Sequence, residues 1–83
     1  MYYVYILECA DATLYTGYTN DLKKRVNAHN GSKSGAKYTR ARRPVVLRYT
    51  ERFRTLSNAL KRERELKNLP REQKLALLEA RKS

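Results

Sequence analysis

The sequence predicts an α/β chain of the α+β type: a small three-stranded, mainly antiparallel sheet flanked by helices, in the order ββαβαα. Three observations carry this reading. Short runs of aromatic and β-branched residues occur three times and are too short for typical helices. Apolar residues recur at helical spacing in three other stretches. At 83 residues the chain is expected to form one domain over residues 1–83, because a chain of this size buries only about 60% of the surface exposed on unfolding and builds a single thin core.

Residues 2–9, Tyr-Tyr-Val-Tyr-Ile-Leu-Glu-Cys, read as a first strand and residues 13–18, Thr-Leu-Tyr-Thr-Gly-Tyr, as a second. The short linker Ala10-Asp11-Ala12 holds a turn-forming Asp, so the pair is expected to be an antiparallel hairpin. Large apolar groups on both faces imply a sheet covered in part on each side. Thr19, Asn20 and Asp21 supply N-cap candidates for a helix over roughly 20–30, with Leu22 and Val26 as its apolar seam. Gly31 to Pro44 turns to Gly, Ser, Lys and Arg and reads as a loop. Val45 to Phe53 returns to strand composition. A second helix is expected from Thr55 or Ser57 to about Leu69, and Pro70 opens a third that carries Leu75, Leu77 and Leu78.

The chain carries 19 Lys and Arg against 8 Asp and Glu, a formal net charge of +11 with the single His counted neutral. So strong a positive charge on a small domain points to a polyanionic partner, nucleic acid foremost. No apolar run approaches the roughly 18 residues that span a bilayer, and strand-like tyrosines directly follow Met1, so neither a membrane helix nor a signal peptide is expected and the chain reads as cytoplasmic. Cys9, the one cysteine, cannot form an internal disulfide and reads as a buried thiol. No Walker loop, dinucleotide fingerprint, His-Glu-x-x-His or serine-nucleophile motif is present, and no organic cofactor is expected.

Some residues do not fit a purely structural reading. At about 100° per helical residue, and with Ala59 at zero, Leu66 falls near −20°, Glu63 near 40°, Leu56 near 60° and Leu60 near 100°. An acid thus sits in the apolar stripe, where desolvation costs several kcal/mol unless a partner compensates. That partner is either an arginine in an internal ion pair or a metal and its chemistry. Arg25 and His29 lie four apart on the first helix, beside the Leu22–Val26 seam, so both lean towards the sheet. They read either as a solvated charge and a helix-end dipole partner or as parts of a phosphate site. The hairpin concentrates Tyr2, Tyr3, Tyr5, Tyr15 and Tyr18, as core filling or as hydroxyls that orient water and rings that stack on bases. Gly17 within a strand signals a bulge or a close backbone approach. Lys33, Lys37, Arg40, Arg42 and Arg43, with Tyr38 among them, make the loop a candidate grip on a phosphate backbone.

Taken in order, these features resemble the GIY-YIG nuclease superfamily, in particular its small stand-alone bacterial members, over nearly the whole chain. Tyr3-Val4-Tyr5 stands at the first signature and Tyr15-Thr16-Gly17 at the second. The run from Tyr15 to Asn30 is similar to the family's strand-to-helix segment, and Ala59-Leu60-Lys61-Arg62-Glu63 carries its acid. The resemblance implies that Glu63 holds one divalent cation, Mg²⁺ or Mn²⁺, that Arg25 stabilises developing charge, that Tyr5 and Tyr15 position or activate the attacking water, and that His29 assists as proton acceptor. The Asn that many members carry in the next helix has no counterpart in Lys74-Leu75-Ala76. The function so implied is a metal-dependent endonuclease acting on nucleic acid, DNA more than RNA. The alternative is a non-catalytic DNA- or RNA-binding module that retains the fold.

Overall fold

The computed structural model describes residues 1–31, 39 and 41–82. Strand β1 (Tyr2–Glu8) is followed by β2 (Leu14–Thr19), helix α1 (Leu22–Gly31), β3 (Val46–Phe53), α2 (Leu56–Lys67) and α3 (Arg71–Lys82). The strands form one sheet in the order β2-β1-β3, and both pairings are antiparallel. The order is the expected ββαβαα, with element ends shifted by a residue or two.

Period-two alternation along the central strand sends its side chains to two different layers. Val4 and Ile6 point to one face and pack with Tyr49, with Ala59 and Leu66 of α2 and with Leu78 of α3. Tyr5 and Leu7 point to the other, where they meet Cys9 and Val45 and the Leu22–Val26 seam of α1. Both faces of the sheet are therefore covered, and Cys9 is a buried free thiol. The hairpin closes through the expected acid: the Asp11 carboxylate accepts from the Thr13 amide at 3.2 Å and its hydroxyl at 2.6 Å. This holds Ala12 in the left-handed region at φ 68°. The β1–β3 register shifts between Ile6 and Leu7.

One packing expectation needs correction. Leu56 and Leu60, placed in the α2 stripe by the helical wheel, are each 39% exposed. The buried line of α2 runs through Ala59 and Leu66 towards the partly buried Leu69, so the helix is turned away from Leu56 and Leu60. A three-stranded sheet is too narrow to cover a stripe that wide. Glu63 consequently lies at the border of the buried face rather than at its centre. Among the described residues, no helix is long and apolar enough to cross a membrane.

Candidate active site

Helix α1 is fastened at both ends, which fixes the two side chains it contributes. At its start Asp21 caps, its carboxylate accepting from the Lys24 amide at 3.1 Å, while the Asp21 amide donates to the Thr19 hydroxyl at 3.1 Å. Arg25 follows one turn in. At its end the Arg43 guanidinium donates to the carbonyls of His29 and Ala28, satisfying acceptors that a helix C-terminus leaves open. Asn30 completes the clasp: its amide donates to the Val45 carbonyl at 3.0 Å and its carbonyl accepts from the Val45 amide at 2.7 Å.

Across from α1, Tyr5 faces Gly17 in the β1–β2 register. A Cβ at Gly17 would lie 2.5 Å from the Tyr5 hydroxyl and 2.7 Å from its Cζ. The missing side chain is therefore what lets the Tyr5 ring lie against β2, the close approach anticipated from a glycine within a strand. The ring ends against His29, with the Tyr5 hydroxyl 2.9 Å from His29 Nε2. His29 Nδ1 in turn lies 2.8 Å from the hydroxyl of Thr39. His29 and Thr39 are fully buried and Tyr5 is 1% exposed. The Tyr15 ring closes the group, its centroid 5.2 Å from that of His29 and 6.5 Å from that of Tyr5.

Electrostatics keep this group neutral. Burial pushes the Tyr5 phenol above its usual pKa; the Arg25 guanidinium, in hydrogen-bonding range of the hydroxyl, pulls against that, and the nearby Glu63 carboxylate adds to the rise. Burial lowers His29 to about 4, helped by the positive charges of Arg25 and Arg43. At neutral pH a protonated phenol thus meets an uncharged imidazole.

Glu63 reaches the same neighbourhood from α2. Its side chain is 15% exposed and lies 3.6 Å from Lys67 Nζ, one turn further along. Among the described residues Glu63 pairs with this lysine and not with an arginine; Arg62 instead pairs with Glu51 at 3.0 Å, and Glu51 also accepts from the Tyr49 hydroxyl at 2.5 Å. A half-buried carboxylate offers the hard oxygen donor that a divalent cation takes. Among the described residues no cluster of three or more His, Cys, Asp or Glu exists, so a cation here would share one protein carboxylate with water and phosphate oxygens, the arrangement typical of Mg²⁺.

The five expected site residues, Tyr5, Tyr15, Arg25, His29 and Glu63, therefore come together, although they derive from β1, β2, α1 and α2. Two hollows flank Arg25. One, of about 220 Å³, is walled by Asp21, Lys24 and Ala28, and the other, of about 450 Å³, by Tyr2, Tyr18 and Leu56; both share Thr19 and Asn20. Of the basic stretch between Gly31 and Pro44, Lys33, Lys37, Tyr38 and Arg40 lie outside the described residues. Arg43 clasps α1, and Arg42 forms a 3.0 Å ion pair with Asp11 of the hairpin. Thr39, which nothing in the local sequence marks, is the residue that the sequence reading missed.

Comparison with known proteins shows the family and the fold. The GIY-YIG catalytic domain matches residues 1–76. The UPF0213 protein of Staphylococcus haemolyticus is 52% identical over 80 residues, 96% of each chain. That of Halobacterium salinarum is 54% identical over 93% of this chain and 99% of its own. The solution NMR structure of the UPF0213 protein from Bacillus halodurans is similar at a TM-score of 0.62 and 46% identity, covering 96% of this chain and 85% of that one. A second solution NMR structure, of an E. faecalis protein, gives a TM-score of 0.64 at 42% identity over 95% of this chain and 83% of its own. On these grounds the chain belongs to the GIY-YIG domain family, a family of nucleases.

Proposed function

We propose that this chain is a metal-dependent endonuclease domain that hydrolyses phosphodiester bonds of nucleic acid, DNA in preference to RNA, in the cytoplasm. The observation that carries the reading is the convergence of Tyr5, Tyr15, Arg25, His29 and Glu63 around one patch of a chain with net charge +11. A phosphodiester needs a cation for the developing charge, an oriented nucleophile and somewhere for the proton to go. Arg25 supplies the first. It lies between a hollow that holds a second cation, Lys24, and one lined by aromatic and apolar side chains, so a phosphate on Arg25 has room for an unpaired base beside Tyr18.

Tyr5 and Tyr15 orient the attacking water. Because Tyr5 rests as the protonated phenol, it serves as a relay: its oxygen takes the proton of the attacking water as its own proton passes to His29 Nε2. Burial first, and then the positive charges of Arg25 and Arg43, hold His29 near 4; a bound phosphate offsets the share of Arg25, so substrate binding raises the basicity of His29 at the moment it is used. GIY-YIG nucleases generally use a divalent metal. Glu63 is the residue that would hold it, as Mg²⁺ or Mn²⁺, and the cation would supply Lewis-acid stabilisation of the phosphoryl oxygens. The basic residues Lys33, Lys37, Arg40, Arg42 and Arg43, with Tyr38, complete the reading as contacts to the nucleic-acid backbone.

The test is metal-linked stability with DNA binding in parallel. Mn²⁺ or Mg²⁺ should raise the unfolding midpoint of the native chain and not of Glu63→Ala, since a ligand of the folded state stabilises it by mass action. Retained DNA affinity with no metal response in the native chain would favour the non-catalytic binding module.

A further inference from the structure

From the buried chain of contacts we propose that Thr39 is a positioning residue: it holds His29 in the tautomer protonated on Nδ1, so that Nε2 is free to accept the Tyr5 proton. A neutral imidazole carries one N–H, and its two nitrogens here have one partner each, Tyr5 at 2.9 Å on Nε2 and Thr39 at 2.8 Å on Nδ1. A tyrosine and a threonine hydroxyl can each donate or accept, so these two contacts alone leave the tautomer open. A guanidinium only donates, and Arg25 in hydrogen-bonding range of the Tyr5 oxygen occupies acceptor capacity there, which favours the phenol as the donor to Nε2. The imidazole proton then sits on Nδ1, and Thr39 Oγ1 is the acceptor that keeps it there. With His29 and Thr39 both fully buried, water is not at hand to substitute for either partner.

The backbone around Thr39 is built to hold that hydroxyl still. The Thr39 carbonyl accepts from the Arg42 amide at 2.9 Å, and the Arg42 carbonyl accepts from the Ala10 amide at 2.9 Å. The Arg42 side chain meanwhile pairs with Asp11 at 3.0 Å. Thr39 is thereby anchored to the β1–β2 turn, part of the hairpin that carries Tyr5. Orientation of a histidine through its second nitrogen is the way a proton acceptor is kept in its useful form.

His29 is the only histidine in the chain, so long-range ¹⁵N–¹H NMR of the intact protein reads its tautomer without ambiguity. The native protein should show a protonated Nδ1 and an unprotonated Nε2. Thr39→Val, close in shape but without the acceptor, should shift His29 towards the Nε2–H form and lower kcat by roughly 10²-fold while KM stays within about twofold. Thr39→Ser should restore both signals. A native spectrum showing Nε2–H overturns the proposal, as does Thr39→Val with unchanged tautomer and unchanged kcat. The kinetic arm rests on the nuclease reading, whereas the tautomer does not: a native protein that cleaves no nucleic acid defeats that reading, and the NMR measurement on the native protein still decides this one, even if Thr39→Val does not fold.

Discussion

The Tyr5 hydroxyl lies 2.9 Å from His29 Nε2, with neither side chain more than 1% exposed. A strand of the first eight residues and the last turn of α1 thus meet through one polar contact inside an otherwise apolar layer of Leu7, Cys9, Leu22, Val26 and Val45. Burying two polar groups costs free energy unless each is satisfied. Here the satisfying partners are Arg25 and Thr39.

That burial gives stability a pH dependence. His29 titrates near 4 in the folded chain against 6.5 when free, so the unfolded chain binds more protons between those two values. Stability therefore falls as pH drops from about 6.5 to about 4, and this contribution is fully lost below that. Thermal midpoints measured across that window should show the slope in the native protein and a shallower one in His29→Gln.

Gly17 is where the ring of Tyr5 makes its closest demand on the backbone. Gly17→Ala would put a Cβ 2.5 Å from a hydroxyl that is itself held by His29, on a residue only 1% exposed. Overpacking of this kind costs about 1–3 kcal/mol. Urea unfolding should show that loss, and cleavage should fall further than the lost stability explains, because Tyr5 leaves its partner.

Tyr18 is 42% exposed at the mouth of the hollow beside Arg25. Tyr18→Ala should leave folding stability within about 0.5 kcal/mol. It should weaken binding of single-stranded DNA by roughly 1–3 kcal/mol if one base stacks there, and Tyr18→Phe should bind as the native protein does. Fluorescence anisotropy with a labelled oligonucleotide at fixed salt measures the difference.

The strands and their order were legible because aromatic and β-branched runs are bounded by turn residues: Asp11 in the hairpin, Pro44 before β3. Arg25 and His29 were legible as a pair because a spacing of four places both on the face of α1 that Leu22 and Val26 turn to the sheet. Glu63 was legible as an acid among apolar neighbours, although the centre of its stripe was misjudged. The exposure of Leu56 and Leu60 depends on the width of the sheet beneath them, and helical periodicity carries no information about that. Thr39 had no local signature at all, since its significance comes from a nitrogen ten residues away. Arg42 and Arg43 read as two more charges in a basic run. Their bonds to Asp11 and to the end of α1 follow from where the chain returns to the sheet before β3, which the sequence does not record.

The most direct measurement is cleavage of labelled single-stranded, duplex and branched DNA by the purified protein, with and without Mg²⁺ or Mn²⁺, set beside Glu63→Gln. The expected result is metal-dependent cleavage of at least one substrate by the native protein, abolished in Glu63→Gln while DNA affinity is retained. Cleavage that persists in Glu63→Gln would contradict the assignment of the metal ligand, and tight binding with no cleavage of any substrate would contradict the nuclease reading itself.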